Sequence, residues 1–308
     1  MQRILDPARI EAFAHRSIPR IRLPDRASVF AQRAQRLRAL GKQGLGQSIG
    51  GYLRLMAALA DAQHLALATF EVSSQASAAR PAQPGTLPAA AVLGSRDARW
   101  HDILAEVCEP IARCDEFPAG VRELCAGLPA APAQELERQA EALLGTDAHA
   151  RDAAAAPFIM SALQVCWTSQ AAALTPEGLA DLGIPGICPV CGTLPVASIV
   201  RVDHGSQGYR YLHCPLCATE WHMVRVTCSQ CQVTQGVTYH SVEGASEAIR
   251  AEACESCRCY RKIFYQEQDL GVEPVADDLA SLALDLLMSE AGYHRASGNP
   301  LLWQRPDA

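Results

Sequence analysis

Apolar side chains recur at three- and four-residue steps through the first 180 residues, then give way to short runs of strand-like texture. Val29, Phe30, Leu37 and Leu40 line one face of a predicted helix, with Asp25 placed to cap it and Gly41 to stop it. Ile49, Leu53, Met56, Leu59, Ala60, Leu67 and Phe70 do the same for a second helix, from Gln47 to Phe70. Residues 73–95 lose the period and hold Pro81, Pro84 and Pro88, which marks a loop. Further helices are predicted near 97–114, 119–127, 132–144 and 153–173, with a short one at 176–182 and a boundary at Pro185–Gly186.

Between 188 and 266 the runs 197–202, 209–213, 221–226 and 237–240 read as strands. Gly205 and Gly208 are placed to turn the first hairpin, and Gly244 the second. Beyond them Val275, Leu279, Leu282, Leu286 and Leu287 form one stripe of a C-terminal helix. Asp277 and Asp278 lie in its first turn and Gly292 near its stop. The expected class is α+β. An α-helical domain (1–184) precedes two tandem tetrathiolate modules of rubredoxin or zinc-ribbon type (185–226 and 227–270), and a C-terminal helix and tail (271–308) follow.

Cysteine spacing supplies the chemistry. Cys188, Cys191, Cys214 and Cys217 form Cys-x2-Cys, 22 residues, Cys-x2-Cys. Cys228, Cys231, Cys254 and Cys257 repeat the pattern after a gap of 10 residues. Each pair offers two thiolates, and two pairs close a tetrahedral site that leaves no open position for water, which argues against metal-assisted hydrolysis. Soft sulfur ligands suit zinc or a single iron, and spacing does not separate the two. Each repeat is too small to fold on an apolar core alone, so the metal is expected to supply much of its folding free energy. Replacing one ligand, as in Cys188→Ser, is accordingly expected to unfold its own module and spare the helical domain. Cys259 extends the last pair to Cys254-x2-Cys257-x-Cys259; it is either an auxiliary thiol with its pKa lowered by Arg258, Arg261 or Lys262, or an inert one beside a strand. Cys108, Cys114, Cys125 and Cys166 fall at helical positions, where cysteine behaves as a small hydrophobe.

His204, His213, His222 and His240 lie within the cysteine region, but eight cysteines already fill two sites. His64 suits a surface or hydrogen-bonded role. No nucleophile–base arrangement and no Gly-rich phosphate loop emerges, so no catalytic residue is assigned. Composition describes an ordinary globular chain, with 49% hydrophobic and 19% charged residues. The start of the chain has no apolar targeting core and no segment has the length of a membrane span; reduced thiols and a cytoplasmic location are expected. Charge is uneven. Residues 1–42 carry +7 and the remainder −13, so the basic stretch is either a docking surface for an acidic partner or a solvated face. Residues 188–260 hold five arginines, no lysine and six acids, which is not the basic patch of a nucleic-acid-binding ribbon.

The run Cys214-Pro215-Leu216-Cys217-Ala218-Thr219-Glu220-Trp221-His222 resembles the formate dehydrogenase accessory protein family, FdhE. So do Tyr265–Asp269, Val275–Leu282 and Asn299–Leu302. The resemblance implies a cytoplasmic, non-catalytic maturation factor for respiratory formate dehydrogenases, which carry molybdopterin, selenocysteine and iron–sulfur clusters. It implies contact with the catalytic subunit before export by the twin-arginine route, and rubredoxin-like sites in which iron is somewhat favoured over zinc. The eight cysteines match the family's, while Cys259 need not be general. An electron carrier to the maturing enzyme is the alternative.

Overall fold

The computed structural model describes residues 18–42, 47–71, 87–91, 96–145, 152–179, 182–202 and 208–302. Gly205, His204, Arg3, Arg9, Arg16 and most of the expected 73–95 loop lie outside them. Among the described residues six helices build the N-terminal part: α1 (Val29–Gly41), α2 (Gln47–Thr69), α3 (Trp100–Ala112), α4 (Ala119–Gly127), α5 (Ala133–Leu144) and α6 (Ala156–Ala172). Each matches an expected helix within a few residues. On α1, Phe30, Ala34, Leu37 and Leu40 repeat at three- and four-residue steps and are all buried. The cap differs from expectation, because Asp25 stands a turn too early. Its carboxylate accepts the Ser28 hydroxyl (2.6 Å) and the Ala27 amide (3.1 Å), shaping the turn before the helix, and Ser28 takes the cap position.

Helix α6 is the axis of the helical part. All its residues from Ala156 to Ser169 are buried, polar ones included, and α2, α3 and α5 pack around it. Such all-round burial requires partners for Ser161, Gln164 and Ser169. Gln63 of α2 donates to the Gln164 side-chain oxygen (2.8 Å), and Gln164 donates in turn to the Pro215 carbonyl (2.7 Å). Among the described residues of the short helix expected at 176–182, Pro176–Gly178 form a 3₁₀ turn, since Pro176 and Gly178 leave too few helix formers.

Among the described residues eight strands form one sheet: β1 (Ile21–Arg22), β2 (Ala197–Val200), β3 (Arg210–His213), β4 (Glu220–His222), β5 (Val237–His240), β6 (Ile249–Cys254), β7 (Cys259–Tyr265) and β8 (His294–Arg295). Their order is β1-β4-β3-β2-β7-β6-β5, with β8 also on β7. Strands from the two cysteine repeats meet along a parallel seam between β2 and β7, with Ser198 opposite Ile263 and Val200 opposite Tyr265. A buried polar layer crosses this seam. Arg210 on β3 pairs with Glu252 on β6 (2.7 Å) and donates to Ser198 on β2 (3.1 Å).

The C-terminal helix is two helices, α7 (Pro274–Ala280) and α8 (Leu282–Glu290), broken at Ser281, whose φ of −112° and ψ of 38° are not helical. The break rotates the expected stripe. Val275 and Leu279 are buried as expected, whereas Leu286 (67% exposed) and Leu287 (46%) face out and Leu284 and Met288 take the inner positions. The two aspartates do not serve as N-caps. Glu273 does so, accepting the Ala276 amide (2.6 Å), while Asp277 accepts the Glu273 amide (2.7 Å). Both aspartates are fully buried and point to different partners: Asp277 to Arg36 of α1, Asp278 to Lys262 of β7 and to Arg295.

Candidate metal centres

All four Cys-x2-Cys turns share one backbone design. The residue after the second cysteine has positive φ in each: Gly192 (79°), Ala218 (56°), Gln232 (64°) and Arg258 (57°). Its amide returns to the carbonyl of the first cysteine at 2.9, 3.1, 3.0 and 2.9 Å respectively. This left-handed residue curls the turn so that backbone amides aim at sulfur. The Cys217 amide lies 3.5 Å from the Cys214 sulfur, and those of Gln230 and Cys231 lie 3.4 and 3.5 Å from the Cys228 sulfur. Only the first turn uses glycine, and a β-carbon on Gly192 would also meet Leu87 at 2.7 Å.

The turns pair as the spacing predicts. In the first site the sulfurs of Cys188 and Cys217 lie 3.5 Å apart and those of Cys191 and Cys214 3.4 Å. In the second, Cys228–Cys257 and Cys231–Cys254 are each 3.7 Å apart. Within each site all four sulfurs fall within 4.8 Å of one another, so each could hold a metal ion. Tetrahedral coordination at a metal–sulfur distance of about 2.3 Å would put sulfurs about 3.8 Å apart, close to both sites. The donor set fits zinc or iron.

Burial separates the two sites. Cys188, Cys191, Cys214 and Cys217 are all at most 1% exposed and belong to the core that contains Leu163 and Val165 of α6. A strap, residues 87–91, clamps the first turn: the Ala89 amide bonds to the Val190 carbonyl and that of Ala91 to the Cys191 carbonyl, both at 3.0 Å. Trp167 of α6 holds the strap by donating to the Ala89 carbonyl (2.9 Å). The hydroxyls of Thr193 and Thr219 lie 3.3 and 3.2 Å from the sulfurs of Cys191 and Cys217, ready to donate to thiolates. Burial pushes the Cys188 and Cys214 thiols well up. At Cys191 the same burial is overcome by hydrogen bonds from Cys188, Cys214 and Cys217, which hold it well down. A cation entering this site would therefore displace protons.

In the second site Cys228 and Cys254 are buried, but Cys257 is half-buried and Cys231 exposed. Burial raises the Cys254 thiol, yet amides of Cys257 and Ser256 outweigh it and bring the thiol to about 7. Cys259 is not drawn into this group. It begins β7, half-buried, and lines a small cavity behind Cys228 and Cys254. Among the described residues no histidine belongs to either tetrad. His213 bonds through Nδ1 to Glu220 (3.1 Å), His222 packs edge-on against Tyr209 and Tyr211, and His240 contacts the Thr238 hydroxyl (3.0 Å). Burial would raise the Glu220 carboxyl, but Arg201 and His213 hold it well below the usual carboxylate range. Cys108, Cys125 and Cys166 are buried among helices, as expected of small hydrophobes, whereas Cys114 lies just past the end of α3 and is only half-buried.

Three family models match in succession: FdhE, N-terminal, over residues 18–183; FdhE, central domain, over 187–225; and FdhE, C-terminal domain, over 226–302. The chain belongs to the FdhE family. It is 40% identical to a "Protein FdhE homolog" of Cronobacter sakazakii over 289 residues, which covers 93% of this chain and 92% of that protein. "Protein FdhE" of Salmonella enteritidis is 38% identical over 289 residues, with the same coverage. The crystal structure of the FdhE protein from Pseudomonas aeruginosa superposes with a TM-score of 0.80 at 35% identity, covering 92% of this chain and 99% of that one. The resemblance drawn from cysteine spacing and the C-terminal motifs thus extends to the FdhE helical segment. Among the described residues no helix is long and apolar enough to cross a membrane.

Proposed function

We propose that this protein is a non-catalytic maturation factor for a respiratory formate dehydrogenase and binds its catalytic subunit in the cytoplasm before export. What carries this reading is FdhE membership over all three segments of the chain, with two cysteine tetrads built on that scaffold. Cys188, Cys191, Cys214 and Cys217 would hold one metal, and Cys228, Cys231, Cys254 and Cys257 the other. A bound zinc supplies rigid cross-linking, whereas iron adds a one-electron couple. The chain's own contribution is to direct amides and the Thr193 and Thr219 hydroxyls at the sulfurs and to exclude water from the first site. A protein partner is favoured over nucleic acid because the cysteine region is acidic on balance and one of its five arginines, Arg210, is buried against Glu252.

A strain lacking the gene is expected to lose formate dehydrogenase activity, and the tagged protein to retain the catalytic subunit on a column. Full activity in the deletion strain would overturn the proposal. Electron transfer to the maturing enzyme is a second reading, favoured by the solvent-facing side of the second site. A reversible one-electron couple in iron-loaded protein supports it, and equal function with zinc ends it.

A further inference from the structure

We propose that the two tetrads divide labour: the Cys228–Cys231–Cys254–Cys257 site exchanges its metal with thiol-bearing partners, with Cys231 as the first ligand to leave, while the Cys188–Cys191–Cys214–Cys217 site is permanent. This rests on the reading of both tetrads as metal sites and adds a direction of traffic to it.

Three independent observations converge. The first is access. The tip of one second-site turn, Gln230, Cys231 and Gln232, is exposed throughout, and so are Glu255, Ser256 and Arg258 around half-buried Cys257. No first-site cysteine exceeds 1% exposure. The second is sulfur stabilisation. Two residues after the second cysteine of each turn, the first site has Thr193 and Thr219, whose hydroxyls reach sulfur. The second site has Val233 and Cys259 at those positions and lacks both hydroxyl donors. Backbone amides alone meet its sulfurs, and a sulfur with no side-chain hydroxyl over it and more water around it is the more openly approached by an incoming thiol. The third is anchoring. The first site lies in the main core under the 87–91 strap, whereas the second abuts a small separate core of Ala251, Ala253, Tyr260, Leu284, Met288 and Tyr293. Local opening is easier where fewer buried apolar contacts must break.

The exchange is a ligand substitution without electron transfer. An incoming thiol loses its proton as its sulfur bonds to the metal; the Cys231–metal bond breaks, and the freed Cys231 thiolate takes up a proton.

The test uses the full chain loaded with two zinc ions and challenged with 4-(2-pyridylazo)resorcinol, the released zinc being followed by absorbance. Release in two phases is expected, one equivalent leaving about tenfold or more ahead of the other. Iodoacetamide labelling over the same time course, mapped by peptide mass spectrometry, should mark Cys231 and Cys257 in the fast phase. Cys188, Cys191, Cys214 and Cys217 should stay protected until the slow one. Cys231→Ser should remove the fast equivalent and keep the slow one; the labelling map of the unsubstituted protein stands whether or not that variant folds. Loss of both zincs in one phase, or first labelling at the Cys188 group, overturns the division of labour alone. A chain that takes up no zinc overturns the metal reading as well.

Discussion

Asp278 is fully buried with Lys262 (3.4 Å) and Arg295 as cationic partners, and Asn299 donates to its second oxygen (2.9 Å). Burial alone would raise its pKa, but the two cations and the hydrogen bonds bring it below the ordinary carboxylate value. A carboxylate depressed in the folded state contributes stability that is complete above its unfolded value, about 4, and is lost as pH falls through the lower folded value. Asp278→Asn is therefore expected to cost about 3 kcal/mol at neutral pH by leaving buried cations underpaired. That gap should start to narrow below about pH 4, where the carboxylate of the unfolded chain takes up a proton first, and level off once the native one is protonated too. Denaturant unfolding of both proteins across pH checks this; a gap that does not change with pH would refute it. Such pairings were not legible in the sequence, because their partners are far apart. Arg33 and Arg36 of the basic N-terminal stretch meet Glu273 and Asp277 at separations of 240 and 241 residues. Arg26 donates to the Ser169 hydroxyl (2.7 Å) and to carbonyls of α2 and its end. These three arginines tie elements together internally, so part of the charge that suggested a docking face is spent inside the fold.

At the scale of elements, the Cys-x2-Cys turns were legible from spacing alone, whereas strands β6 and β7 were not. Their runs, Ile249–Cys254 and Cys259–Tyr265, carry Arg250, Glu252, Arg261 and Lys262, and all but Arg250 are buried. Charged residues at core positions hide the alternation that identifies a strand, and the ion pairs of Glu252 and Lys262, with the hydrogen bonds that Arg261 donates to Ser229 and Ser297, make the burial tolerable. The break at Ser281 was hidden for the opposite reason, since the leucine spacing on either side suits one continuous helix. The left-handed residue of each turn gives a test at this scale. Gln232 sits at φ 64° with its side chain exposed, so Gln232→Gly should preserve or raise stability, and Gln232→Val should lower it by about 1–2 kcal/mol. Thermal unfolding of the zinc-loaded variants measures this; equal midpoints for glycine and valine would contradict the backbone account.

For the molecule as a whole, the two repeats are not beads on a string. The β2–β7 seam makes one sheet of them, and the first tetrad lies in the same core as the helices. The expectation that Cys188→Ser would spare the helical part is therefore replaced by a different one. Cys188→Ser should lower the unfolding temperature of the whole chain, because it opens the core beneath α6. Cys257→Ser should cost one metal equivalent and leave the helical signal in circular dichroism nearly intact. Identical losses of helical signal in the two variants would contradict this. The order in which the parts come into being follows from the strap. Ala89 and Ala91 clamp Val190 and Cys191, so the clamp leaves the ribosome about a hundred residues before the turn it closes over. At about 5–20 residues per second, that is a wait of roughly 5–20 s. During that wait the helices can assemble around an unfilled seat, and α6, also made before the turn, is in place to receive it. The four cysteines of the first site thus emerge into a scaffold that is already waiting, and each newly made copy must take up its ion between the emergence of Cys217 and the closing of the strap over the turn.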